Sequence, residues 1–325
     1  MFKGLIFTML MISVFLIVQP VFALTLQSAQ KALEEKNYEV AAKEFLLLAT
    51  ENNAEAQYMI GWMMNMGLGF EQSPTKALVY FQKAANNDNI KAMNEIGYFY
   101  LLGYESIGLE KDAKKAIKWF EKSANKGNLR AQLTLGNIFS HNRFLPSDYK
   151  ESHKWFSMAA KQESSSALYK LAKIYESGLG VEEHKAKALK YFLESADLGN
   201  ENSKYRIALI YEKGSHGLKK DLQKAFQIYK EIAVKPFTTQ REIHPNYLFW
   251  ARERLGTLYL KGKGTIRDNV LAHMWLNIAN TKKPSDHLTE KINTIEKNMT
   301  PEEIREALKR ARQCIDSFSF FQNCN

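Results

Sequence analysis

The sequence predicts an all-α fold, a solenoid of stacked αα-hairpins, and three observations carry that prediction. A dipeptide pairing one large apolar residue with one small residue recurs six times. It reads Ile60-Gly61, Ile96-Gly97, Leu135-Gly136, Leu171-Ala172, Ile207-Ala208 and Leu255-Gly256, at spacings of 36, 39, 36, 36 and 48 residues. A second phrase keeps register with the first: Tyr80-Phe81, Trp119-Phe120, Trp155-Phe156, Tyr191-Phe192, Ile228-Tyr229 and Trp275-Leu276, closed by Ala85, Ala124, Ala160, Ala196, Ala233 and Ala279. Large residues four apart, such as Leu171 with Tyr175, Ile207 with Tyr211 and Leu255 with Tyr259, fall on one helical face. Periods of this length mark repeat arrays. One hairpin of this size cannot bury its apolar face alone, so neighbouring units must stack.

The chain of 325 residues opens on a segment, 1–23, that stands outside this pattern. Lys3 supplies a positive start, Leu5 to Val18 is almost wholly apolar, Pro20 breaks the run, and Val21-Phe22-Ala23 offers small residues where a signal peptidase reads. This is the pattern of a cleaved secretory signal, which makes the chain periplasmic or secreted. The other reading, an uncleaved anchor, asks for ~20 apolar residues. No Cys follows the run, which disfavours a lipoprotein. Residues 24–52 follow as a degenerate leading helix pair, in which Tyr38, Ala41, Ala42 and Phe45 suit a capping unit.

Residues 53–283 hold the six repeats. Second helices start at Ser73-Pro74, Asp112, Asp148, Asp221 and Asp268, and first helices after Asn53, Asn89, Asn128 and Asn200. Such residues accept hydrogen bonds from the first free N–H groups of a helix. The turns Gly67-Leu68-Gly69, Gly178-Leu179-Gly180 and Gly262-Lys263-Gly264 suit left-handed backbone. Two units depart from the pattern. The third carries Asn142-Arg143-Phe144-Leu145-Pro146 in place of the Gly turn, and the fifth is followed by about twelve extra residues around Val234 to Asn246. A capping segment, 284–325, closes the array. In it Thr300-Pro301-Glu302-Glu303 is a capping box that starts a helix through about Ile315. Arg305, Lys309, Arg310 and Arg312 suit its solvated face, and an apolar Phe318-to-Phe321 tail follows. Cys314 and Cys324 are the two cysteines. In an oxidising compartment they favour a disulfide that pins the tail, over two free thiols or half a metal site.

At Leu171-Ala172 to Tyr175, Gly178-Leu179-Gly180-Val181, Lys187-Ala188, Tyr191-Phe192 and Ala196-Asp197-Leu198-Gly199-Asn200 the chain resembles a Sel1-like repeat, a relative of the tetratricopeptide repeat. The resemblance implies a right-handed solenoid whose first helices line a concave, protein-binding face. It also implies that ligands meet residues flanking the Leu-Gly core. Those positions are Tyr58, Trp62, Asn65, Asn94, Tyr98, Asn137, Tyr169, Lys173 and Tyr205, although Trp62 and the tyrosines suit packing between neighbouring units equally well. Rings supply apolar area and amides reach main chain, which suits an extended peptide. Exported Sel1-like proteins of Gram-negative bacteria, including intracellular pathogens, are tied to host-cell entry, trafficking or envelope maintenance.

Catalytic patterns are sparse. The seven His form no H-x-x-x-H or H-E-x-x-H pair. The Gly turns follow no strand, and Gly262-Lys263-Gly264-Thr265 is not a phosphate loop. Ser28 to Lys31 and Ser123 to Lys126 match S-x-x-K, but a K-T-G element is missing. The paired cysteines of those Sel1-like proteins proposed as penicillin-binding hydrolases are missing too. The net charge of +10 is spread along the chain, with modest clusters at Lys111, Lys114, Lys115 and Lys118 and at Lys219, Lys220 and Lys224. These clusters read first as a solvated outer face, with an anionic lipid or wall polymer as the alternative partner, and nothing points to nucleic acid. The expectation is a monomeric, non-catalytic scaffold without cofactors, exported and bound to a protein or peptide, with a role in host interaction or virulence. The alternatives are a periplasmic factor modulating a peptidoglycan-processing enzyme, and a β-lactam or wall-peptide hydrolase.

Overall fold

The computed structural model describes residues 26–141, 146–235, 245–282 and 284–316. The signal segment, the Asn142-to-Leu145 turn, the Phe318-to-Phe321 tail and Cys324 lie outside the described residues. Among the described residues no strand forms; Tyr104 and Leu109 make an isolated antiparallel bridge. The chain divides into two compact units, Met1–Ser147 and Asp148–Asn325. The division falls inside the third repeat, at the turn that lacks glycine.

The first unit contains α1 (26–34), α2 (Tyr38–Thr50), α3 (Ala54–Met66), α4 (Pro74–Asn86), α5 (Ile90–Leu102), α6 (Ala113–Asn125) and α7 (Leu129–Ser140). Asparagines cap the first helices: Asn53, Asn89 and Asn128 accept from the backbone N–H of Ala56, Ala92 and Ala131, each at 2.9 Å. Ser73 and Asp112 cap α4 and α6. The three extra residues of the second repeat form a closed loop, with Tyr104 N–H donating to Leu109 O at 2.7 Å and the Tyr104 ring stacked 4.4 Å from Phe99. Within each hairpin the small residue of the first helix admits the second helix. A Cβ on Gly61 would stand 2.8 Å from the Phe81 ring, and one on Gly97 would stand 2.6 Å from Phe120. Phe81 and Phe120 are correspondingly buried, whereas Tyr80 and Trp119 are only half-buried. In these two hairpins the core therefore rests on the second member of the aromatic pair, whereas Trp155 and Trp275 of the second unit are buried along with their neighbours.

The second unit contains α8 (Tyr149–Ala160), α9 (Ser165–Ser177), α10 (Lys185–Asp197), α11 (Glu201–Lys213), α12 (Leu222–Ala233), α13 (Pro245–Lys261), α14 (Asn269–Lys282), α15 (Asp286–Glu296) and α16 (Pro301–Asp316). Serines stitch its hairpins: Ser195 donates to Ser165 O at 2.7 Å and receives Ser203 Oγ at 2.7 Å. Gly180, at φ +69°, lies so close to the start of the preceding repeat's second helix that a Cβ would meet Tyr149 Cβ at 2.6 Å. Left-handed backbone and close approach thus demand glycine together. At the far end Thr300 and Glu303 make both bonds of the capping box, 2.8 and 3.2 Å. They start α16, which buries Ala307, Ala311 and Cys314 and packs on α14. No described helix is long and apolar enough to cross a membrane.

The insertion after the fifth repeat lengthens the next helix. α9 and α11 have 13 residues each, but α13 has 17. Part of the extra sequence has become one further helical turn ahead of Leu255-Gly256. Arg252, fully buried in α13, donates through Nε to Ala233 O at 2.9 Å and through Nη2 to Lys235 O at 2.6 Å. These bonds satisfy carbonyls at the end of α12 and hold the lengthened helix to the repeat before it.

Candidate functional site

The first helices α9, α11 and α13 line a groove of about 420 Å³ in the second unit. From α9 come Ser166, Tyr169, Lys170 and Lys173, which the helical period sets on one face. The start of α11 adds Asn200 and Asn202, and the extra turn of α13 adds Asn246, Tyr247 and Trp250. The rings form one assembly. Tyr247 stacks on Tyr205 at 4.9 Å and approaches Trp250 at 5.4 Å, and its hydroxyl meets that of Tyr169 at 2.8 Å. Trp250 remains 37% exposed, so its indole is open to a ligand. Burial pushes the Tyr169 phenol far above its ordinary range and that of Tyr205 up to about 12. Both are therefore neutral hydroxyls at physiological pH.

Charge along the first helices is mostly paired from repeat to repeat. Lys91 meets Glu55 at 2.8 Å, Arg130 meets Glu95 at 3.1 Å, and Arg206 meets Glu176. Arg254 meets Glu212 at 2.9 Å, and Lys291 meets Glu253 at 2.8 Å. The groove differs: its lining holds two lysines and no carboxylate. Burial, followed by the neighbouring Lys173, holds the Lys170 ammonium below the ordinary lysine range.

The nine positions expected on a binding face have unequal fates. Tyr169 and Lys173 line the groove, with the Lys173 ammonium 6.0 Å from the Tyr169 ring centre. Tyr205 and Asn94 are interior, at 4% and 2% exposure. Tyr205 is covered by the extra turn of α13, through Tyr247. Asn94 is a short side chain at the repeat position that Tyr58 and Tyr169 occupy elsewhere, and it stays inside, its amide donating to Glu95 at 3.4 Å. In the first unit Tyr58 is half-buried 5.8 Å from Phe81, and its phenol is pushed up to about 12, mainly by burial. Tyr98 shares a 2.7 Å hydrogen bond with Thr134 and lies under the Arg130 guanidinium. Trp62 is half-buried against the core, Asn65 is half-buried, and Asn137 is exposed. Tyr247 and Trp250 were absent from the sequence expectation. Their signal was present as two aromatics directly after the insertion, eight and five residues ahead of Leu255.

Both S-x-x-K serines have structural partners. Ser123 is buried and donates to Ile90 O at 2.8 Å, while Lys126 pairs with Asp88 at 3.0 Å. Ser28 donates to Glu44 at 3.1 Å, and Lys31 faces Glu35. Among the described residues no cluster of His, Cys, Asp and Glu could hold a metal ion. Cys314 is buried; its expected partner Cys324 lies outside the described residues.

Comparison with known proteins agrees with this architecture. The Sel1 repeat family matches residues 54–89, 90–128, 129–164, 165–200, 202–233 and 251–282. No curated protein matches the chain. Among solved structures it is similar to a protective antigen present in uropathogenic Escherichia coli strains that displays an SLR fold. The identity is 26% and the TM-score 0.73 over 90% of this chain, which spans 61% of that protein's length. It is also similar to a Sel1 repeat protein from Oxalobacter formigenes, at 25% identity and a TM-score of 0.62, covering 80% of this chain and 98% of that one.

Proposed function

We propose a function from one premise: this chain belongs to the Sel1 repeat family, whose members are generally protein-interaction scaffolds and typically non-catalytic. It is an exported, monomeric scaffold that binds a protein or peptide partner on its first helices, with the groove across α9, α11 and α13 as the central contact. The open aromatic assembly of that groove is the observation that carries this reading. An exposed Trp250 beside the half-buried Tyr169 and Tyr247 supplies contact area on rigid helices at small entropic cost, the usual make-up of binding hot spots. The signal-like segment 1–23 supports export. The likeness to a protective antigen of uropathogenic E. coli supports a host-directed role over one confined to the envelope.

Affinity capture tests the scaffold reading. The purified chain retains a partner from host or envelope extract, and Tyr247→Ala with Trp250→Ala loses it while far-ultraviolet dichroism stays unchanged. Capture indifferent to that double substitution rejects the groove as the contact. Fractionation tests export: protein found only in the cytoplasm rejects it. Binding to anionic vesicles that falls with salt supports a lipid contact, and salt-insensitive binding rejects one.

A further inference from the structure

We infer that the groove recognises an acidic peptide segment, in which a carboxylate stands next to an aromatic or apolar side chain. This inference rests on the scaffold reading and names the chemistry of its ligand.

Charge complementarity is the argument. An exposed lysine needs no partner, because water solvates it. Lys170 is half-buried. Among the described residues, no carboxylate comes within 4.0 Å of Lys170 or Lys173. Nearby cations are committed elsewhere. Lys204 and Lys235 both hold the buried Glu201, at 2.9 and 2.8 Å, and Arg206 holds Glu176. Lys170 and Lys173 lie one turn apart on α9, and burial first, then repulsion from Lys173, holds the Lys170 ammonium below the ordinary lysine range. A half-buried ammonium beside an exposed one, with no anion near either, is unfavourable, and an incoming carboxylate set between Lys170 and Lys173 relieves it. The rest of the lining selects a peptide over a small anion. Trp250, 37% exposed, offers a ring face for a neighbouring side chain, and Asn202 and Asn246 keep the rest of the lining polar and uncharged. Charge-assisted hydrogen bonds to lysine supply the preference.

The test uses the full chain and two labelled synthetic peptides, read by fluorescence anisotropy. One peptide pairs a phenylalanine with two glutamates; its twin carries glutamines instead. The acidic peptide is expected to bind about tenfold or more tighter. Lys170→Gln with Lys173→Gln is expected to abolish that difference with dichroism unchanged, and Lys170→Arg with Lys173→Arg to keep it. Equal affinity for the two peptides overturns the inference, as does a difference that survives the glutamine pair. Inorganic phosphate that displaces the acidic peptide at equal concentration also overturns it, because the site then takes any anion. If both peptides bind alike and both are lost in Trp250→Ala, the acidic preference falls and the scaffold reading stands. If neither binds, the acidic preference falls, and affinity capture alone decides the scaffold reading.

Discussion

Phe120 and Trp119 are neighbours in the chain with different duties. Phe120 is fully buried against Gly97, while Trp119 is half-buried beneath the Lys122 ammonium, 4.3 Å from its ring centre. Phe120→Ala should cost ~3–5 kcal/mol, the range for emptying a buried aromatic site. Trp119→Ala should cost clearly less, because solvent already covers part of that ring. Urea unfolding of the two variants checks the order, and a larger loss for Trp119→Ala would contradict this account of the seam. The recurring aromatic pair was visible in the sequence, but which member fills the core was not. Adjacent helical residues point about 100° apart, and the neighbouring small residue decides which of them turns inward. Asn94 and Tyr205 make the same point, since covering elements in the folded chain decide whether a side chain at a given repeat position emerges.

Capping, turn and pairing signals made the helices legible. Every first helix from α3 to α11 has an Asn or Ser cap, and Asp112, Asp148 and Asp221 cap second helices. The insertion was harder to read. Its composition signals a break in period, but whether it becomes loop or helix depends on what it packs against. Arg252, which bonds from α13 to the end of α12, and Tyr205 beneath Tyr247 supply that packing. This is why most of the fold could be read from local chemistry while the groove could not: its rings come from three helices, and one of those helices departs from the repeat. At the other terminus, α16 depends on its first turn. Replacing Thr300 and Glu303 together by Ala should cost about 1–2 kcal/mol. The loss should appear as faster amide exchange across Pro301–Asp316, with α9 unaffected, and equal exchange in the two proteins would deny the cap that role.

The two compact units differ in how they meet acid. His153 and His216 both lie in the second unit, and both are held below the ordinary value of 6.5. For His153 the causes are burial and then Lys187; for His216 burial outweighs the opposing pull of Glu176. As pH falls through 6.5 the unfolded chain takes up protons that the folded unit refuses, so the folded unit loses stability. Amide exchange in α8–α12 should therefore rise, relative to α3–α6, between neutral pH and about pH 5. His153→Gln with His216→Gln should flatten that rise, and an unchanged slope would assign it to other groups. Elsewhere in the chain one modest feature has a historical corollary. The groove surface on α13 arises from a length change in a single connection, while the residues that hold successive hairpins together keep their period up to that connection. Such a trait can be gained, lost or exchanged in one genetic event, with no compensating change in adjacent units. Kindred arrays should therefore diverge in ligand fastest where their spacing is irregular, and hold their framework where it is not.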